Sequence, residues 1–402
     1  MPRLLAALAA TVLALPVGAL TPEQAVKRAL SRPDMQLTLQ SGIDLAHAEL
    51  VQARTWANPV LRVSHEDPRS PTDGPDETSV MLSQEFQMGG RRRLQRVAAE
   101  LGIGTAQANA EALRAALRAD VLEQYYTALA GERRVAGIDA HIERLRRLAE
   151  VADRRRDAGD LSGYESRRIA QLVQAALARL AIAEAELEDA RGGLSGLIGA
   201  PVPVLHPLVP LAPPTPPPLA TLAARLDDAV ELRALDRRRQ AAAAALRAAA
   251  RPALPVTVAM GHKRTGAGES AANDALMLEV SVPLPLWDRN QAGIARAAAE
   301  AADADARLAL RRASAEARLL ATWQQADSLT ALAARLRRDE IAPASELTRI
   351  ALLSFEAGEL ELVGLIDALE ADLAARERVL DLELRARRAT IELEHLSQGD
   401  TP

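Results

Sequence analysis

Thr78-Ser79-Val80-Met81-Leu82-Ser83-Gln84-Glu85-Phe86-Gln87-Met88, followed at once by Gly89-Gly90-Arg91-Arg92-Arg93, places a short alternating stretch directly before a long run without proline. Along 78–88 one face carries Val80, Leu82, Phe86 and Met88, interrupted by Gln84, and the other carries Ser79, Ser83, Glu85 and Gln87. That period of two reads as a β-strand. The pattern returns in the second half of the chain, where Leu276, Leu278, Val280, Val282 and Leu284 alternate with Glu279 and Ser281. Three anchors hold the two copies about 200 residues apart, the signature of an internal repeat. Met81-Leu82 recurs as Met277-Leu278, Arg96-Val97-Ala98-Ala99-Glu100 as Arg296-Ala297-Ala298-Ala299-Glu300, and Ala158-Gly159-Asp160-Leu161 as Ala357-Gly358-Glu359-Leu360.

Each half carries the same succession of a helical approach, a strand hairpin, a very long helix, a tight break and a second long helix. The first repeat covers 20–200, with strands expected at about 59–66 and 78–88 and helices at about 89–157 and 162–198. The second covers 219–398, with strands at about 255–262 and 275–284 and helices at about 290–356 and 360–397. The stretches 66–77 and 263–274, rich in Gly, Pro, Asp and Ser, read as the hairpin loops. Between the repeats, the proline-dense 201–218 reads as an extended linker strapped along the surface. The long helices lack internal proline apart from Pro343 and imply on the order of 100 Å of helix at 1.5 Å per residue, too long for a compact domain. Their breaks, at Asp157-Ala158-Gly159-Asp160 and Glu356-Ala357-Gly358-Glu359, put glycine where a helix ends and turns back.

Composition agrees with long helices rather than a conventional core. Of 402 residues 49% are hydrophobic but only 2% aromatic, and the net charge of −5 provides no field to recruit nucleic acid. Met1-Pro2-Arg3, an apolar run over 4–15 and Val17-Gly18-Ala19 have the three-part form of a secretory signal, expected to occupy 1–19. No later stretch reaches the roughly 20 apolar residues of a transmembrane helix, so the mature chain either stays in water or crosses a membrane as strands. Cysteine is absent, and the six histidines show no paired ligand spacing. No catalytic motif, phosphate loop, cofactor site or dedicated metal site is expected, and the chain is not read as an enzyme.

Four short strands leave unpaired backbone edges that lipid does not tolerate, so a membrane-spanning arrangement needs other copies of the chain. Two chains would give eight strands and three would give twelve, and strand counting alone does not choose between them.

The chain resembles the TolC family of outer-membrane efflux channels, in particular its heavy-metal cation-efflux, CzcC-like branch. The resemblance rests on Pro283-Leu284-Pro285-Leu286-Trp287-Asp288-Arg289-Asn290-Gln291 with Gly293 and Arg296-Ala297, similar to that branch's strand-to-helix junction. It rests also on Gln84-Glu85-Phe86 with Gly89-Gly90-Arg91-Arg92-Arg93, on Gly358-Glu359-Leu360-Glu361 with Leu365-Ile366-Asp367-Ala368, and on Thr21-Pro22-Glu23-Gln24-Ala25. It implies a mainly α fold with a small β part, assembled as a homotrimer with a twelve-stranded barrel in outer-membrane lipid and a helical barrel across the periplasm. A periplasmic adaptor and an inner-membrane RND pump are the implied partners, and heavy-metal cations the implied cargo.

The resemblance places the periplasmic tip and adaptor contact at Gly159, Asp160, Leu161 and Ser162 and at Gly358, Glu359, Leu360 and Glu361. Clustered acids there, Asp157, Asp160, Glu356, Glu359 and Glu361, would repel one another or bind cations at a closed aperture. At the junctions, Gly89, Gly90, Pro283, Pro285, Asp288, Arg289 and Asn290 shape the bend, the prolines ending the strand and Asp288 or Asn290 capping the helix. Arg91, Arg92 and Arg93 read either as groups reaching lipid headgroups at the inner rim or as a solvated basic turn. If the polar strand face lines a lumen, Glu85 and Glu279 form carboxylate rings that favour cations, or simply wet the pore. Three Trp, three Tyr and two Phe make a thin aromatic belt for a barrel. Two other readings share much of this pattern: a duct for drugs or other small molecules, and a soluble periplasmic coiled-coil scaffold or adaptor.

Overall fold

The computed structural model describes residues 19–67, 76–267 and 270–397. The expected signal segment, apart from Ala19, and the centres of both hairpin loops lie outside the described residues. In chain order the elements are α1 (Pro22–Leu30), α2 (Pro33–Arg54), β1 (Val60–Glu66), β2 (Glu77–Met88), α3 (Arg91–Asp157), α4 (Gly163–Ile198) and α5 (Leu219–Ala223). They continue with α6 (Val230–Ala249), β3 (Leu254–Ala267), β4 (Ser270–Ser281), α7 (Gln291–Leu336), α8 (Ala342–Glu356) and α9 (Leu362–Ser397). The protein is mainly helical with one small antiparallel sheet, and α3 alone runs 67 residues.

The chain forms two compact units that do not follow the two sequence repeats. One gathers the described residues up to Gln36, Arg114–Ala224 and those from Ala317 onward, and the other gathers Leu37–Leu113 and Arg225–Glu316. Each unit draws on both repeats because a single helical hairpin or strand hairpin cannot bury its own apolar face.

In the first unit the helices pack through regularly spaced small and aliphatic residues. Ile138, Ile142, Leu145, Leu148 and Ala152 of α3 meet Ile169, Ala176 and Ala183 of α4, the latter at a strict seven-residue interval, and Leu362, Leu365, Ile366, Leu369 and Leu373 of α9. Those intervals are the seam of antiparallel coiled coils, which explains how a chain so poor in aromatics stays folded. A second cluster forms around Tyr125, whose hydroxyl donates to the Leu20 carbonyl at 2.8 Å, and burial pushes that phenol up to about 12.

The segment 201–218 is extended and largely exposed, as a surface strap would be, with Leu208 84% exposed, and it is anchored inward at a few residues. Leu205 and Leu211 are fully buried in that same cluster, and Leu205 forms a parallel bridge with Leu20. Arg387 of α9 reaches in to donate to the carbonyls of Pro210, Leu211 and Ala212 at 2.9, 2.8 and 2.7 Å, and its guanidinium lies over the Tyr126 ring. Prolines deprive the segment of backbone donors, and the arginine satisfies carbonyls that no ladder or helix can reach.

The helix expected over 290–356 is also modified. A π-helical turn, Arg337–Ile341, separates α7 from α8 immediately before Pro343. Proline has no N–H to give and its ring crowds the carbonyl four residues back, so the widened turn removes the conflict without ending the helix. Ser345 answers the Ile341 carbonyl at 2.9 Å, and Arg337 pairs with the buried Glu383 at 2.5 Å.

In the second unit the strands lie in the order β1-β2-β3-β4, each antiparallel to its neighbour. The 263–274 stretch, read as a loop, is largely strand: β3 continues to Ala267 and β4 begins at Ser270, with Arg264 opposite Asp274 and Thr265 opposite Asn273. Its Gly, Ala, Asp and Asn have poor strand propensity, but the ladder and a Lys263–Glu77 ion pair with β2 override it. At its other end β4 stops at Ser281, so Val282 and Leu284 lie beyond the strand, as Pro283 and Pro285 require.

Candidate functional site

The register gives the sheet two unlike faces. Leu61, Leu82, Met260 and Leu278 share one rung, Val63, Val80, His262 and Leu276 the next, and Gln84, Val258 and Val280 a third. Within the described chain nothing covers this apolar face: Leu61 is 64% exposed, Leu276 78% and Leu278 73%. Two polar residues, His262 and Gln84, interrupt these rungs, and Gln84 donates its amide to the Ala57 carbonyl at 2.8 Å.

The opposite face carries Ser64, Ser79, Ser83, Thr257 and Ser281 together with both candidate carboxylates. Glu85 stands level with Thr257 and Ser281, and Glu279 stands one same-face rung away, level with Ala259 and Ser83. The structure thus brings Glu85 and Glu279 to one polar face, on either side of β3.

At the first junction Gly89 and Gly90 take φ of 87° and 79°, a left-handed pair that only glycine adopts without strain, and they swing the chain from β2 into α3. Arg92 then folds back: it donates to the carbonyls of Ala53 and Arg54 at the end of α2, and its guanidinium stacks 3.7 Å from the Trp56 ring centroid. Trp56 meets Phe86 edge-on at 5.8 Å. Neither reading of the basic turn anticipates this, because Arg92 is committed to a helix end and an aromatic ring.

At the second junction neither Asp288 nor Asn290 caps α7 through its side chain. Asp288 Oδ1 accepts the Asn290 N–H at 2.8 Å, and Asn290, at φ 67°, donates its amide to the Ala249 carbonyl at 2.9 Å. The Arg289 N–H goes to Gln291 Oε1 at 2.8 Å. Gly293 is required here, since a Cβ at that position would strike the Asn290 amide.

The two helical tips close by the same device. Gly159 and Gly358 sit at φ 85° and 78°, and the next residues, Asp160 and Glu359, donate their N–H to the carbonyls of Arg155 and Ser354 at 2.8 Å each. Both are Schellman turns. Beyond them the tips differ. Ser162 and Glu165 form a reciprocal capping box, whose N–H and hydroxyl donors hold the Glu165 carboxyl below the usual carboxylate range. Glu361 occupies the matching position and contributes its backbone carbonyl, to Gly364 at 3.1 Å and Leu365 at 3.4 Å. Leu161 and Leu360 are partly buried against the coiled-coil core, leaving Asp160, Ser162, Glu359 and Glu361 as the outward groups.

Arginines, which the acidic cluster concealed in the sequence, organise the tips. Arg156 pairs with Asp157 at 3.0 Å and with Asp153 at 2.8 Å. Arg155 crosses from the first tip to the second, donating to the Glu356 carbonyl at 3.0 Å with its guanidinium 4.7 Å from the Phe355 ring centroid. The run Arg154-Arg155-Arg156 in the last turn of α3 is the signal that could have shown it, since cations belong at helix C-termini.

No family model matches the chain. It is 28% identical over 379 residues to the cobalt-zinc-cadmium resistance protein CzcC of Cupriavidus metallidurans, covering 90% of this chain and 86% of that one. It is 26% identical over 288 residues to the nickel-cobalt-cadmium resistance protein NccC of Alcaligenes xylosoxydans xylosoxydans, covering 70% and 65%. Among solved structures the outer membrane protein VceC from Vibrio cholerae superposes with a TM-score of 0.75 at 17% identity, over 94% of this chain and 96% of that one. With this fold and these sequence relatives, the chain has the fold of the TolC-family outer-membrane channels and is similar in sequence to the heavy-metal resistance proteins CzcC and NccC.

Proposed function

We propose that the protein is the outer-membrane exit duct of a tripartite exporter of heavy-metal cations, a passive channel rather than an enzyme. The observation that carries this reading is the two-faced sheet. An uncovered face of Leu, Val and Met costs free energy in water, at about 25 cal/mol per Å² of apolar surface, and is stable against lipid. From Met88 to Val80 that face extends over about 27 Å of strand at 3.4 Å per residue, close to the apolar band of an outer-membrane barrel. A soluble scaffold would have no use for such a face.

Only β1 and β4 end the sheet, so three copies joined edge to edge would close twelve strands and leave no open edge in lipid. In that homotrimer the polar face lines the lumen, and Glu85 and Glu279 recur around the axis as carboxylate rings that favour cations. The tips at Gly159–Ser162 and Gly358–Glu361 then present their outward acids and Ser162 to a periplasmic adaptor, and an inner-membrane pump supplies the energy. Cargo follows from the sequence relatives, whose names specify resistance to cobalt, zinc, cadmium and nickel.

The test is a deletion strain beside its complemented control, grown on graded cobalt, zinc, cadmium and nickel and on a panel of drugs. Hypersensitivity to the metals, reversed by the intact gene, is expected. Sensitivity to drugs with unchanged metal tolerance would overturn the cargo.

A further inference from the structure

Met81 and Met277 share one rung of the sheet, on its polar face, on either side of Gly261. Serine, threonine and carboxylates dominate the rest of that face, and both methionines are half-buried there with no apolar core to fill. Their placement is also symmetric in the sequence, since Met81-Leu82 and Met277-Leu278 occupy the same position in the two repeats. Gly261 is what lets them approach. A Cβ at Gly261 would lie 2.6 Å from Met81 Cγ, so the Met81 side chain already leans across the glycine toward β4.

Two strand spacings put the Met81 and Met277 Cα atoms about 10 Å apart, a gap that two unbranched, freely rotating thioethers can close around an ion. Thioether sulfur is a soft donor that selects Cu(I) and its heavier congener over hard divalent cations. Glu279, one same-face step from Met277 along β4, adds a carboxylate beside the pair, while Arg62 at the far end of the rung opposes tight binding. Weak attraction suits a conduit, in which an ion must leave as readily as it enters.

We propose that Met81 and Met277, on either side of Gly261, form a transient site for soft monovalent cations, Cu(I) or Ag(I), on the wall of the duct. The inference rests on reading the polar face as the lumen, and it extends the cargo beyond the divalent metals named for the sequence relatives. In a closed assembly the site repeats around the axis as a ring of thioethers.

The probe is silver nitrate in chloride-free buffer, added to the full-length protein purified in detergent and followed by equilibrium dialysis and silver X-ray absorption. M81L/M277L is expected to lose one bound Ag(I) per chain together with its sulfur scattering. Leucine is close to methionine in volume, so the fold should survive the change. M88L/M260L, which alters the methionines of the apolar face, should retain the ion. Equal silver on wild type and M81L/M277L, or an equal loss in M88L/M260L, overturns the site. Potassium conductance of the same proteins in planar bilayers separates the two readings. A wild type that binds silver but forms no channel overturns the duct and keeps the site, whereas one that conducts without binding silver overturns the site and keeps the duct.

Discussion

His141 is fully buried in the helical unit, with Nε2 3.4 Å from Glu370 Oε1 and neither ring nitrogen in a well-formed hydrogen bond. Burial lowers its pKa, and Arg144 and Arg179 reinforce the shift against the opposing pull of Glu370. A histidine depressed in the folded state is protonated more readily in the unfolded chain, so stability is complete above about 6.5 and falls as pH drops below it. His141→Leu should therefore flatten the pH dependence of thermal unfolding between about pH 7 and pH 5, where the wild type loses stability. An unchanged slope in the variant would show that another group titrates there. Asp372, equally buried, behaves differently. Burial raises its pKa, but hydrogen bonds from Arg376 and Ser345 and the charge of Arg144 outweigh that and leave it below 3.8. Its contribution is present above that value and lost only as pH falls through the lower folded pKa, so the two groups act in separate windows.

At the scale of elements, the helical tips show how much a single backbone angle carries. Gly358 holds φ 78°, in open space, so Gly358→Ala meets no clash but must adopt a left-handed conformation. It should cost about 1 kcal/mol and speed hydrogen exchange in the last turn of α8. Gly163, the first residue of α4, is also in open space but has no positive φ, and Gly163→Ala should be neutral or mildly stabilising. Equal effects at the two sites would remove the conformational argument. Both glycine breaks were readable in the sequence, because Asp-Ala-Gly-Asp and Glu-Ala-Gly-Glu follow long helical periodicity. The reach of Arg155 from one tip to the other was not, since nothing local links residues 201 apart.

For the whole molecule, the decisive property is that one face of the sheet is largely apolar and is covered by none of the described residues. Leu278→Arg would place a cation on that face and should cost about 2–4 kcal/mol if the position lies near the bilayer midplane. Far less of the variant should remain with the outer membrane after a carbonate wash. Ser281→Arg, on the polar face, should be retained like the wild type. Equal retention of both variants would argue against lipid contact for the apolar face.

The period of two in β2 and β4, the proline-free length of the long helices, the glycine breaks and the internal repeat are local or periodic properties, and the sequence by itself determined them. With them came the fold class and the placement of Glu85 and Glu279 on one alternating face. Tertiary structure decided what depends on partners far away along the chain. It extended β3 and β4 through residues that favour loops, because the ladder outweighs weak propensity. It buried Leu211 from a proline-rich linker, because Arg387 satisfies the carbonyls of Pro210, Leu211 and Ala212, and Leu205, because its segment pairs with Leu20. It also set Met81 and Met277 on one rung across Gly261, because strand register follows from pairing over the whole sheet rather than from either strand alone.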